Sequence, residues 1–444
     1  VLQTGPVTTS TPALIDLTEQ DLPRIRDLIE TVWFSVTPGK TLQHLDEELD
    51  LRHARAVPRP GGSPLPGEAA GAAPLLGLYS AFDLGLTIPA ARGGLTRVPM
   101  DGLTMVSVHP DGRRQGVLRR MMTDHLHRVH ERGEAAIAGL HASEPAIYGR
   151  FGYGHASAEA KLVLARGTPL TAPPALTAEA EQIRTHVVDL DTEEALAAVH
   201  RTHLACAAAT LGAVTRPASM EQSWFAFRDH PEARGGKEPS RVMFARRGEE
   251  LTGYAVFRRE SKWDDAQPAG EVSVGELAAV DQASVLALAR RLVDMDLTGR
   301  TVFWSRPADD PLAWWAGGPR SSGMRVFDAL WIRLVDLPRA LSERGYAEGA
   351  PLDLVLQVQD EVCPWNAGRW RLQVDADGSA SVTSTDADAD LVAPVAALGA
   401  AYLGGRTLLA QVPTLGVQEQ TPGAVRALSR AMRADLDPVP AIGF

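Results

Sequence analysis

Apolar positions along the chain alternate between helical and strand-like spacing. From Asp21-Leu22-Pro23 onward, Ile25, Leu28, Ile29 and Val32 recur at helical spacing, which predicts an amphipathic helix. A short apolar strand precedes the stretch PRPGGSPLPGEAAGAAP (58–74), whose prolines and glycines predict a surface loop. Apolar runs at Leu75–Ile88 and Leu103–Val108 predict strands. Val117–Val129 then puts Leu118, Met121, Met122, Leu126 and Val129 on one helical face, and Ala135–Leu140 is a further short strand. Strand, loop, helix and strand in that order predict an α/β layer.

A boundary is expected near Gly167, where TPLTAPPALTAE loses all periodicity. Beyond it the same order returns. RVMFARRGEELTGYAVFRR (241–259) predicts a hairpin turning at Gly248-Glu249-Glu250. Val272, Val274 and Leu277 predict a strand, Asp281 a cap for a helix carrying Val285, Leu286, Leu288 and Leu292, and Thr301–Trp304 another strand. Residues 271–304 therefore repeat the architecture of 103–141 more than its letters, as an internal duplication would. From Leu337-Pro338 the pattern becomes α+β, with a strand–turn–strand at WRLQVDADGSASVTS (370–384) and helices around Val395–Leu403 and Gly423–Met432.

Length and composition narrow the class. The chain has 444 residues, and at roughly 150 residues per domain that suggests about three domains. Hydrophobic residues at 45% and charged residues at 22% are a globular balance. The net charge of −11 argues against coating a nucleic acid and favours cationic ligands. The two cysteines, Cys206 and Cys363, lie far apart, which excludes a disulfide scaffold and a thiolate zinc site and fits a reducing compartment. No apolar run approaches the roughly 20 residues of a membrane helix. The opening VLQTGPVTTSTPALIDL lacks a basic segment followed by an apolar one, so no signal peptide and a cytoplasmic location are expected.

Candidate chemistry concentrates in VSVHPDGRRQGVLRRMM (106–122). Pro110 stops the strand ladder, and Arg113, Arg114 and Gly116 lead straight into a helix. Unpaired amides and the positive dipole end make such a helix start a seat for phosphate or pyrophosphate. Gly116 permits close approach, and the arginines add charge-assisted hydrogen bonds. The Rossmann and Walker glycine patterns are absent, so a nicotinamide dinucleotide or nucleoside triphosphate is not the leading ligand. A purely structural basic loop is the plain alternative.

The pattern VxVxPxxRRxG followed by a helix resembles motif A of the GNAT acetyltransferases, with Leu118 where many members carry Gly or Ala. LHASEPAIYGRFGYGHAS (140–157) closely resembles the signature of the enhanced intracellular survival (Eis) family within that superfamily. Locally, Ser143 suits an N-cap, Pro145 a first helical turn, and Gly152 a helix end. The resemblance covers essentially the whole chain. It implies tandem GNAT-like domains, each a mixed sheet flanked by helices, plus a sterol-carrier-like α+β domain. The expected divisions are 1–167, 168–336 and 337–444. It further implies acetyl-CoA as cosubstrate, held by Val106, Ser107, Val108, Arg113, Arg114, Gln115, Gly116, Val117, Leu118, Arg119, Ser143 and Glu144. Tyr148 is then the general acid, and the carboxylate of the final residue, Phe444, the general base; an α-carboxylate has an ordinary pKa of about 3.5. A frayed tail is the plain alternative for Phe444. In the central copy the loop position reads Leu277-Ala278-Ala279-Val280-Asp281-Gln282, without arginine or glycine, so one acetyl-CoA site per chain is expected.

Resemblance implies primary amines of aminoglycoside antibiotics as acceptors, with lysine side chains or polyamines as the alternative, and a homohexamer. Trp33 and Phe34 are candidate walls of the acceptor pocket, and Asp46, Glu47, Glu48 and Asp50 candidate attractors, although a solvated acidic face explains the acids better. No metal is expected. His125, His127 and His130 do not share a helical face and read as solvent-facing, His200 and His203 lack a third ligand, and Asp375-Ala376-Asp377-Gly378 lacks the later positions of a calcium loop. Neither cysteine falls in the signature, which disfavours a covalent acetyl-enzyme. The rival from another class is a lipid- or partner-binding protein with a vestigial nucleotide site.

Overall fold

The computed structural model describes residues 13–33, 49–60, 73–220 and 234–444. In chain order its main elements are α1 (Leu22–Trp33), β1 (Arg55–Pro58), β2 (Leu75–Pro89), β3 (Leu95–Val108), α2 (Val117–Arg132), β4 (Ile137–His141), α3 (Pro145–Tyr148) and β5 (Ala158–Ala165). There follow α4 (Glu193–Ala208), β6 (Arg241–Arg247), β7 (Glu250–Glu260), β8 (Gly270–Ala279), α5 (Gln282–Val293), β9 (Thr298–Arg306), α6 (Pro311–Trp315) and β10 (Leu330–Leu334). The last section contains β11 (Leu352–Gln359), β12 (Gly368–Val374), β13 (Ala380–Ser384), α7 (Val395–Ala401), α8 (Leu408–Leu415) and α9 (Ala424–Ala431).

The chain forms two compact units, residues 1–82 with 103–128, and residues 83–102 with 129–444. In the first, the apolar face of α1 delivers Ile25, Leu28 and Ile29 to a core with Ala56, Leu75 and Leu78. Strand β1 pairs antiparallel with the start of β2. The buried face of α2 includes Val117, Met121, Met122 and Leu126. His125 lies on that face too, buried edge-on against Tyr79, so the expected solvent-facing histidine is corrected. The i, i+4 relation to Met121 puts it there. Asp124 meets the Tyr79 hydroxyl at 2.6 Å and Arg55 at 2.8 Å.

In the second unit, the start of β3 pairs parallel with β4, and β4 pairs antiparallel with β10. A second sheet has the order 325–328, β5, β9, β8, β7, β6, 184–189. Its β8 and β9 are parallel and joined by α5, the strand–helix–strand repeat expected from the sequence. Strands at the joints are exchanged: β5, which precedes Gly167, belongs to the second sheet, and β10 to the first. The third sheet is built on β11, β12 and β13, with Gly378 (φ +81°) in the expected turn. Strand β3 starts at Leu95, earlier than the expected Leu103. Pro99 is exposed, and Asp101 is buried against Arg132. Among the described residues no helix is long and apolar enough to cross a membrane.

Candidate active site

In the first unit the site begins at Met105, whose φ of +53° is left-handed for a side chain that disfavours it, at a cost of about 1–2 kcal/mol. This kink interrupts the in–out alternation of β3, leaving Leu103 buried and Thr104, Met105 and Val106 all half-buried. Ser107 is buried, and its hydroxyl accepts a hydrogen bond from Trp33 Nε1 at 3.0 Å. Trp33 is therefore not a core aromatic: its ring is half exposed while its N–H is fixed to β3. Phe34, Asp46, Glu47 and Glu48 lie outside the described residues. Asp50 is engaged by Arg52 at 2.6 Å; burial raises its pKa, but the hydrogen bonds from Arg52 outweigh that and hold it below the usual carboxylate range.

After β3, His109 N–H bonds to the Leu76 carbonyl and Pro110–Gly112 forms a tight turn. Arg114 (φ +62°) and Gly116 (φ +79°) then take left-handed conformations, and Arg113–Gly116 are exposed. The first intrahelical bond of α2 runs from Arg120 N–H to the Gly116 carbonyl, so the amides of Val117, Leu118 and Arg119 have no acceptor within the helix. Left-handed turn residues and a helix start together form a concavity of donors. The side chains of Arg113, Arg114 and Arg119 make no ion pair among the described residues. The arrangement can hold a polyanion.

In the second unit the parallel ladder of β3 and β4 stops at Gly102↔Gly139. The Phe444 ring packs there: a Cβ on Gly102 would come within 3.1 Å of it, and His141 meets it edge-on at 5.0 Å. His141 Nε2 is buried without a hydrogen-bond partner among the described residues, and burial pushes the imidazole pKa down to about 4. Sequence reasoning passed over this histidine although it stands inside the LHASE motif. Helix α3 follows. Its N-cap is Glu144, without a side-chain cap bond, in place of the expected Ser143; Pro145 fixes the first turn one residue later. Ser143 and Glu144 are exposed, and Gly152 (φ +82°) ends the turn as expected. Tyr148 is buried, with its ring edge-on to Tyr153, and burial, aided by Glu144, raises its pKa to about 12. Its phenol is thus protonated, and a proton donor, at neutral pH.

The final residues are held in place. Val439 N–H bonds to the Leu211 carbonyl, Val214 N–H to the Pro440 carbonyl, and Ile442 is fully buried. Among the described residues no group of three or more His, Cys, Asp or Glu could hold a metal ion.

Family models of the acetyltransferase (GNAT) domain match residues 14–156 and 212–334, and a sterol carrier protein domain matches 337–439. An uncharacterized N-acetyltransferase of Streptomyces coelicolor is 38% identical over 83% of this chain and 86% of its own length. N-acetyltransferase Eis of Mycobacterium tuberculosis is 30% identical over 82% of this chain and 84% of its own. Among solved structures, Eis1 of Mycobacterium abscessus superposes with a TM-score of 0.75 at 30% identity, covering 97% of this chain and 100% of that one. A GCN5-related N-acetyltransferase of Anabaena variabilis shares the fold with a TM-score of 0.77 at 18% identity, over 97% of this chain and 100% of that one.

Fold and relatives define an acetyltransferase built on tandem GNAT domains, a fold that uses acetyl-CoA and an amine acceptor. Within that class, the chain belongs to the Eis family of N-acetyltransferases.

Proposed function

We propose that the protein acetylates primary amines of polycationic aminoglycosides by direct transfer in a ternary complex. The carrying observation is the Arg113–Gly116 loop, whose exposed arginines and left-handed turn precede the first amides of α2, which have no acceptor within the helix. In this reading the loop and Val117–Arg119 take the pyrophosphate of acetyl-CoA. Backbone groups of Val106, Ser107 and Val108 hold the pantetheine arm and polarise the thioester carbonyl, Ser143 and Glu144 touch the cosubstrate, and Trp33 lines the acceptor side. The amine nitrogen bonds to the carbonyl carbon as the carbon–sulfur bond breaks. The Phe444 carboxylate takes one proton from the substrate ammonium before attack and passes it to solvent, Tyr148 protonates the departing thiolate, and the phenolate recovers the second proton, which the nitrogen sheds after attack. The net charge of −11 favours a polycationic acceptor. Catalysis belongs to residues 1–167, the central 168–336 carry no cosubstrate, and 337–444 supply the base; the assembly is a homohexamer, which light scattering would test.

The deciding experiment is free-thiol release from acetyl-CoA with aminoglycosides, lysine peptides and polyamines compared. The expected order puts aminoglycosides first. Indifference to them overturns the acceptor assignment, and failure of acetyl-CoA to raise the melting temperature overturns binding itself.

A further inference from the structure

Behind the last residues runs a line of buried polar side chains that the acetyl-transfer chemistry above does not use. Arg216, with a fully buried side chain, donates from Nη2 to Glu276 Oε1 at 3.1 Å and from Nη1 to the Gly443 carbonyl at 3.4 Å. Tyr254 donates its hydroxyl to the other Glu276 oxygen at 3.1 Å. His203 contacts that hydroxyl through Nδ1 at 2.9 Å and donates from Nε2 to the Val214 carbonyl at 2.8 Å. All four residues are buried. Val214-Thr215 lies beside Gly85-Leu86 of β2, while Val214 N–H holds the Pro440 carbonyl, so this segment is bonded to both the first sheet and the last residues.

A buried ion pair is a weak source of net stability, because desolvation offsets its attraction. What it does supply is fixed geometry, since a planar guanidinium with two engaged nitrogens has one orientation. Near its end Ala441 is held at φ +64°, a strained value that persists only where neighbouring bonds over-determine it. The chain then delivers the Phe444 ring against Gly102 and His141, where the ladder of β3 and β4 ends.

We infer that Arg216, braced by Glu276, Tyr254 and His203, is a positioning residue that seats Phe444 for the transfer reaction. The central GNAT copy thus serves the reaction by holding the end of the chain. The inference rests on Phe444 being the base.

The test is a cycle of Arg216→Ala, deletion of Phe444, and both together, with kcat, the KM for each substrate and hydrogen exchange of residues 436–444. Arg216→Ala is expected to lower kcat by about 100-fold, the effect of an ångström-scale misplacement. It should leave the KM for acetyl-CoA unchanged and speed exchange in 436–444. Arg216→Lys, which keeps charge without the fork, should recover part of the loss. In the Phe444 deletion, Arg216→Ala should cost nothing further. An equal fold loss in both backgrounds, or unchanged exchange, overturns the inference and leaves the base assignment standing. A fully active Phe444 deletion overturns the base assignment and, with it, the inference. Should Arg216→Ala fail to fold, Tyr254→Phe leaves the Arg216–Glu276 pair but unfastens Glu276; it should give a smaller loss of kcat, again absent without Phe444, and a loss that survives the deletion overturns the inference.

Discussion

The two GNAT repeats place the same backbone device in opposite chemical states. In the first, the residue before α2 is Gly116, at the end of a loop with exposed Arg113 and Arg114, and no acid caps the helix. In the second, Asp281 caps α5: its carboxylate accepts from Ser284 N–H at 2.8 Å and from Arg247 at 2.9 Å. Burial raises the Asp281 pKa, yet these bonds prevail and hold it below the ordinary range. The strands that follow differ in the same sense. Strand β4 ends on His141, whose buried Nε2 has no partner among the described residues, and leads to α3, whose N-cap forms no side-chain bond. Strand β9 ends on Arg306, paired at 2.5 Å with Asp310, which also caps α6. Where α3 offers the phenol of Tyr148, α6 carries Trp314 and Trp315, indoles with no acidic hydroxyl. Among the described residues one repeat leaves the loop at its helix start exposed; the other satisfies one helix-start amide from its own Asp281. The two copies of the fold differ in which polar ends are already filled.

Perturbing each repeat tests that contrast. The largest effect is expected from Tyr148→Phe, which removes the proposed proton donor: kcat should fall by about 100-fold or more, with acetyl-CoA affinity unchanged in a binding titration. An unaltered kcat would make the first repeat's phenol as silent as the second repeat's indoles.

His141 offers a pH test. Its folded pKa of about 4 lies below the unfolded value of about 6.5, so the unfolded chain binds the proton first as pH falls. The stability from keeping it neutral is intact above pH 6.5 and is lost progressively toward pH 4, about 3 kcal/mol in all by linkage. His141→Asn should flatten that part of the denaturation-versus-pH curve, and an unchanged slope would place the acid sensitivity elsewhere.

Gly116→Asp copies the second repeat's acid into the first. Aspartate tolerates the left-handed backbone, so the change is chiefly one of charge, and acetyl-CoA affinity should weaken by about 10- to 100-fold. Thermal shift against cosubstrate concentration reads this directly. The smallest effect is expected at Asp281→Ala: the second repeat loses about 1 kcal/mol with its cap, seen in chemical denaturation, while acetyl-CoA affinity stays as it was.

Much of the first repeat was legible because its signals are local. The helical spacing of Ile25, Leu28 and Ile29, the Arg113–Gly116 loop before α2, and Asp281 before α5 all act within a turn or two of chain. Trp33 could be singled out as aromatic, but its bond to Ser107 joins residues far apart in sequence. Glu144 replaced Ser143 as N-cap because the position of Pro145 decided the first turn, a competition that cap preferences alone do not rank. Arg216 carried no signal at all, since the chain around it has no periodicity and its partners come from β8 and the last residues.

The amino-acid pattern by itself determined the repeated strand–helix–strand units, the single basic phosphate-type loop, and the Eis signature with Tyr148. These depend on dihedral preferences, side-chain period and local charge, all of which act between near neighbours. Only the tertiary structure decided that β5 and β10 exchange sheets, that Phe444 packs against Gly102 and His141, and that Arg216 is tied to Glu276 and Gly443. A strand reads the same whichever sheet it joins, because its period of two is indifferent to its partner. Buried polar groups must find partners wherever the fold brings them, and that choice is made only when distant segments close together.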